Sequence, residues 1–499
     1  MKKHNYLYLS ALSVSLFMGS CTKDFLQRDP ESIISASNFF SNESQVKQAV
    51  NGAYNSVLQM GLADYWIFGE MRSDNTTFHY NNTNRGLEQR ELMEQFVSQA
   101  TDEPLSTFWQ RLYTGIDRAN EVLDHIGTVN MPDANKNQYT GEMKFLRAFH
   151  YFTLVRQWGG VPLRTTSTQT TDQTKSKGRA SVDDIYTQII ADLTDAASKL
   201  PKKYTGADVG RATEGAARTM LAEVYLTRKK TTEALTELRK VEAIGYQLLP
   251  SYAAIFDPAN KNNAESIFEI QYLGSDPQLS STFMYQFAPW TSGSAVTKDP
   301  KTTSNPGGWN IPTQDLIDAY DSTDLRKNIS IGTDFISMNP SDPLKGKMIP
   351  YIKKYNHAPA DIGRTNDNFP VYRYADVLLM IAECLNESGD QASSLTYLNQ
   401  VHAHSRTGLL PLAVIDQATL RDLIFKERQV ELAFENHRWY DLVRSGKAVA
   451  VMNANGAREK LLKPTQPYPI GSYNVNPNKL LLLIPQKEVT LDNLAQNPQ

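Results

Sequence analysis

Glu427, Glu431, Glu435 and His437 crowd one stretch near the C-terminus, with His402 and His404 upstream. Glutamates four apart line one face of a helix, and such a row could hold a metal ion or move protons. No His-Glu-x-x-His pair accompanies them, however, and His402 and His404 at i and i+2 on a presumed helix point different ways. Arg428, Arg438 and Arg444 bring opposite charge into the same segment, so a structural ion-pair network is the favoured reading. Glycoside hydrolysis needs two carboxyl groups roughly 5–9 Å apart, and nothing among the 54 acids singles out a pair. Gly-rich phosphate loops and Cys-x-x-Cys pairs are absent. The sequence therefore assigns no catalytic residue and no metal ligand, and the chain reads as a non-enzyme.

The elements that must position any site are mainly helical. Phe108, Trp109, Leu112, Tyr113, Ile116, Ala119, Val122 and Leu123 trace one helical stripe between Pro104 and Gly127. A second helix is expected from about Glu142 to Gln157, stopping at Gly159-Gly160-Val161-Pro162, and a third from Val182 with Ser181 as its N-cap. There is also an internal repeat. The shift that lays Ala222-Glu223 on Ala382-Glu383 also lays Leu238 on Leu398 and Val241 on Val401. Each window reads as helix, polar turn, helix, like a tetratricopeptide pair. Between Gly245 and Pro370 the texture changes, and 12 of the 24 prolines fall there. Proline and glycine at that density build irregular loops, and a shorter loop zone spans Pro464 to Pro477. Leu480 to Ile484 reads as a short buried strand.

Composition and the N-terminus set the compartment. With 499 residues, 40% hydrophobic, 21% charged and a net charge of -3, the chain falls in the globular range and lacks the basic excess that nucleic acid demands. Lys2 and Lys3 precede an uncharged run from Tyr6 to Met18, the layout of a signal peptide over residues 1–20. Met18-Gly19-Ser20-Cys21 is similar to a bacterial lipobox, which would leave an acylated Cys21 at the new N-terminus. Cys384, in an apolar helical context, then has no disulfide partner and fills core volume.

From Cys21 to its end the chain resembles the SusD/RagB family of outer-membrane nutrient-uptake lipoproteins of Bacteroidetes. The resemblance rests on Asn51-Gly52-Ala53-Tyr54, Ser73-Asp74-Asn75, Phe145-Leu146-Arg147-Ala148-Phe149-His150-Tyr151-Phe152, Arg373-Tyr374-Ala375-Asp376, and the run from Glu427 to Leu442, in that order. It implies a mostly α-helical fold, with tetratricopeptide-like pairs packed against an irregular loop-rich half and few short strands. It divides the chain into a helical part at 21–244, a loop-rich ligand-facing insertion at 245–370 and a C-terminal helical part at 371–499. It implies a lipid-anchored protein on the outer face of the outer membrane. There it would capture glycan, with no catalytic step, for a SusC-like TonB-dependent β-barrel transporter. An oligopeptide-capturing member, a surface hydrolase and a lid without its own ligand are the alternatives. No cofactor is implied, and a structural calcium ion is left open.

Sugar recognition wants aromatic faces for pyranose C–H groups and polar rims for hydroxyls. Trp290 and Trp309, in the proline-rich stretch, are candidates for stacking against a sugar or for anchoring loops, with Tyr285 behind them. Asp74 and Asn75, in a polar loop with Tyr80, are candidate hydroxyl partners or an Asx-turn cap. Trp109, Trp158 and Trp439 belong to helical motifs and are assigned to the core.

Overall fold

A computed structural model of the protein describes residues 39–62, 65–83, 88–168, 170, 178–301, 306–413 and 416–499. The signal peptide and Cys21 lie outside the described residues. Among the described residues, the longer helices form the frame: α1 Glu43–Leu62, α2 Glu103–His125, α3 Asp133–Trp158, α4 Val182–Lys199, α5 Glu214–Thr227, α6 Thr231–Glu242, α7 Tyr374–Glu387, α8 Gln391–His402, α9 Gln417–Glu431 and α10 Ala448–Leu462. None of the described helices is long and apolar enough to cross a membrane.

The periodic stripe is α2, with Pro104 in its first turn, where a missing N–H costs nothing. Helix α3 begins at Asp133, well before the expected Glu142, its opening turns being polar and thus invisible to an apolar period. At the start of α4 the Ser181 hydroxyl accepts the Asp184 N–H at 3.1 Å, the expected cap.

The repeat is real at the level of structure. The shift that carries Ala222 onto Ala382 also carries both bounds of α5 onto those of α7, and both bounds of α6 onto those of α8. Ala222 and Ala382 are fully buried, as are Leu238, Leu398, Val241 and Val401, so small residues admit the neighbouring helix and branched ones fill the seam. Each helix from α1 to α8 packs on the next, and α6 packs directly on α7. The stretch from 243 to 373 thus leaves a continuous helical stack and re-enters it one helix later. Cys384 lies wholly within this core, where burial pushes its thiol up to about 12.

The inserted stretch carries most of the few strands. β1 (Thr76–Thr77) pairs antiparallel with β3 (Ile311–Pro312), β2 (Ser266–Ile270) with β6 (Phe369–Arg373) across two register shifts, and β4 (Ile331–Gly332) with β5 (Tyr351–Ile352). The expected strand at Leu480 to Ile484 does not form. Leu482 and Ile484 do point inward alternately, but the chain there has no strand beside it. Its partners are the end of α3: Leu482 N–H donates to Gln157 O at 2.7 Å and the Trp158 indole donates to Leu483 O.

Beneath the loops lies a buried ionic network. Glu431, at the end of α9, accepts from Arg326 at 2.7 Å, Arg373 at 2.9 Å and Arg406 at 2.6 Å. Glu265 holds Arg373 and Arg406, and Glu435 holds Arg373 and Lys354. Glu427 holds Arg326 and His402, and Asp324 also holds Arg326. These guanidiniums keep the Glu431 carboxyl, despite burial, well below the ordinary carboxylate range. The row of acids is therefore structural, with two corrections. Helix α9 stops at Glu431, and positive φ at Phe434 and Asn436 carries Glu435 into the network from outside the helix. Its cations come from elsewhere too, since Arg428 and Arg444 pair with Asp441, and Arg438 with Asp74.

Candidate functional site

Four stretches far apart in sequence close into one surface. The first leaves the π-helical turn Ile67–Met71, runs through β1 and continues to Thr83. The second spans 285–312. The third is an antiparallel arm between β4 and β5, bridged at Ile336↔Met348 and by Gly346 N–H to Ser337 O at 2.7 Å. The fourth is the loop after α10, where the Lys463 ammonium donates to Thr77 Oγ1 at 3.1 Å and Phe78 O at 3.4 Å.

Short polar links fix these stretches to one another. His79 N–H donates to Gly308 O at 2.7 Å, and the Trp290 indole N–H donates to Tyr80 O at 3.1 Å. Gly308 has a φ of +71°, and a Cβ there would lie 3.1 Å from the Trp290 nitrogen, so the close approach depends on glycine. His79 Nε2 lies 3.0 Å from Asp342 Oδ1 with both side chains fully buried, and Thr291 Oγ1 donates to Asp342 Oδ2 at 3.0 Å. Burial holds the His79 imidazole below its ordinary value, against the pull of Asp342. Against burial, hydrogen bonds from His79 and Ser337 keep Asp342 ionised, down to about 2. The tip of the arm is thus clamped onto the first loop by a buried His–Asp contact.

The structure separates the six ligand candidates. Asp74 and Asn75 are 5% and 1% exposed, and their polar atoms are spent inside the protein. Arg438 grips both oxygens of Asp74 at 2.7 Å, while Asn75 donates to Glu70 and accepts from Gln429. They do not stand at a ligand mouth; they tie the first loop to the segment after α9. Glu70 also accepts the Phe434 and Asn436 N–H groups, and burial pushes it up to about 7.

Trp290 and Trp309 are 3% and 9% exposed and pack as anchors. The Trp290 ring lies 5.6 Å from His79, and the Arg90 guanidinium covers Trp309 at 5.4 Å. Their faces are consumed internally, because proline and glycine density announces irregular backbone and says nothing about which side of it is wet. Trp66 is buried likewise, its indole donating to Gln286 Oε1 at 2.8 Å. Tyr80 and Tyr285 remain half-exposed. The Tyr285 hydroxyl is fixed by Asp299 and accepts the Gly363 N–H at 3.0 Å, and burial beside Asp299 raises its pKa further above the ordinary value.

Sequence reasoning missed two contributors. Half-exposed Tyr468 lies in the loop after α10, whose prolines were noted without a tie to Thr77. The arm carries Ile336 and Met338 at 54% and 69% exposure, and a lone apolar residue among prolines gives no periodic signal. Among the described residues no cluster of His, Cys, Asp and Glu could hold a metal ion.

Comparison with known proteins agrees with this architecture. The family model described as "SusD family" matches residues 266–499, and one described as "Starch-binding associating with outer membrane" matches residues 24–226. A SusD-like protein of Formosa agariphila is 28% identical over 494 residues, covering 89% of this chain and 90% of that protein. One of Bacteroides ovatus is 26% identical, covering 86% and 81%. Among solved structures, a laminarin binding SusD-like protein superposes with a TM-score of 0.75 at 24% identity over 92% of this chain and all of that one. Surface glycan-binding protein A from Bacteroides thetaiotaomicron, in complex with laminarihexaose, superposes with a TM-score of 0.74 at 22% identity and the same coverage.

Proposed function

The chain belongs to the SusD family, and from that premise we propose that it captures oligo- or polysaccharide at the cell surface and passes it to a SusC-like TonB-dependent transporter. Acylated Cys21 would anchor it to the outer membrane, several acyl chains on one residue holding firmly where one holds marginally. The protein performs no chemistry on its cargo in this reading. The observation that carries it is the loop surface itself. A floor of buried tryptophans and a buried His–Asp contact holds Tyr80 and Tyr285 half-exposed and pre-positioned, so little ordering entropy is lost on binding. Two structural relatives, one described as laminarin binding and one solved with laminarihexaose, make those two glycans the first ligands to try.

The test is calorimetric titration of residues 22–499 with a panel of polysaccharides and peptide digests. Tyr80→Ala and Tyr285→Ala should each weaken glycan binding about tenfold, ~1.4 kcal/mol, with a smaller loss of stability than a buried tryptophan gives. Trp290→Ala should instead lower stability by about 3–5 kcal/mol, since it empties a packed site. Heat from peptides alone would replace glycan with oligopeptide as the cargo.

A further inference from the structure

A second groove runs where the helical stack meets the start of the inserted stretch, and it shares no residue with the loop surface. Two hollows of about 570 and 270 Å³ adjoin along the segment that leads into α5, both bordered by Val209, Gly210, Arg211 and Phe268. The ridge between them is a close backbone approach. Gly210 has a φ of +98°, and a Cβ there would lie 2.7 Å from the Gln271 amide carbon.

Three half-exposed tyrosines line the pair of hollows, and each is held by its hydroxyl. Tyr54 accepts the Ala212 N–H at 2.9 Å, Tyr204 donates to Glu142 at 3.3 Å, and Tyr246 lies 3.4 Å from Thr213 Oγ1. Fixed hydroxyls leave rigid rings. Across from them Asn262 and Gln271 join amide to amide through two bonds of 2.9 Å; Gln271 is saturated by further bonds to Glu269 O and Asn368, and Asn262 keeps one donor and one acceptor position.

Charge distinguishes the larger hollow. Its lining contains Lys202, Lys203 and Arg211 and no carboxylate, in a chain whose net charge is -3. Arg211 is committed to Glu142 and Asp208. Lys202 and Lys203 are exposed and make no ion pair among the described residues. By contrast, the hollow beside α2 sets four carboxylates, Asp117, Glu121, Glu488 and Asp492, against two arginines, Arg118 and Arg164. Unpaired ammonium groups, rigid aromatic rings and amides together suit a sugar that carries negative charge.

We infer that this groove is an accessory binding site for acidic glycan, one bearing uronate or sulfate groups, distinct from the loop surface. The carbohydrate half of this inference rests on the proposed glycan capture; the preference for negative charge rests on the lining alone. Residues 22–499 should be titrated with oligogalacturonate, sulfated dextran, neutral dextran and polyglutamate of matched charge. Oligogalacturonate or sulfated dextran should bind, the stronger of the two naming the acid group, and binding should weaken as salt rises. The double variant Lys202→Glu with Lys203→Glu should lose at least tenfold in that affinity, and Tyr204→Ala should weaken it while leaving the lysines in place. Neither should alter neutral-glycan binding, which Tyr80→Ala should weaken without touching the acidic probes. Acidic glycans binding no better than neutral dextran, binding unchanged in the lysine double variant, or polyglutamate binding as tightly would each overturn the inference. If those results come with neutral-glycan binding intact, the groove alone fails. Loss of all glycan binding would bring down the capture reading as well.

Discussion

The helical stack and the loop-rich half solve the same problem with different chemistry. In the stack, backbone hydrogen bonds are satisfied within each helix, so the side chains need only fill apolar seams such as Ala222, Leu238, Ala382 and Leu398. The loops have no such internal ladder. Their backbone and side-chain polar groups are met one by one, by Asp74–Arg438, His79–Asp342, Glu70 with two N–H groups, and the network centred on Glu431. Buried charge is what fixes this irregular surface to the frame beneath it.

Breaking that contrast begins with Arg373→Met. It removes the partner shared by Glu265, Glu431 and Glu435, and leaving buried charge uncompensated costs about 3–5 kcal/mol. Urea unfolding reads the loss, and hydrogen exchange locates it. Amides in 245–370 should exchange faster while α5 and α6 stay protected, and uniform loosening would show that the two halves do not differ. Leu398→Ala makes the complementary cut, costing about 3 kcal/mol by opening a cavity in the seam of α7, α8 and α9. There the faster exchange should appear in the helices and spare the arm between β4 and β5.

The smallest expected effect is a pH dependence. Glu94 accepts from Tyr473 at 2.7 Å beside the loop surface, and burial pushes it up to about 8. Between about pH 4.5 and pH 8 the unfolded chain has released this proton and the folded one retains it, so stability falls as pH rises. Glu70, raised to about 7, contributes in the same direction over the lower part of that window. Glu94→Gln should flatten this decline. Melting temperature against pH reads it, and an unchanged slope would assign the decline elsewhere.

Much of the stack was legible because its signals are local. Periodicity located α2, Ser181 marked the start of α4, and the internal repeat found both helix pairs. The loop surface was legible only as a region. Nothing near Asp74 indicates that Arg438 will grip it, and nothing near Trp290 indicates that His79 will lie beside its ring. Those are properties of long-range closure. The ion-pair character of Glu427 and Glu431 could be read from charge alone, but their partners Arg326, Arg373 and Arg406 lie outside the segment that suggested it.

The Asp74–Arg438 pair joins the first loop to a segment near the far end of the chain. A chain made from its N-terminus can assemble α1 to α6 from neighbouring segments, yet the loop at 74–80 must wait until Arg438 itself has been made. For that interval Asp74 is without its arginine and the first loop without its clamp. Contacts so distant in sequence form late and slowly. Assembly order is therefore written into the molecule: the scaffold first, and the loop surface only when the chain is almost complete.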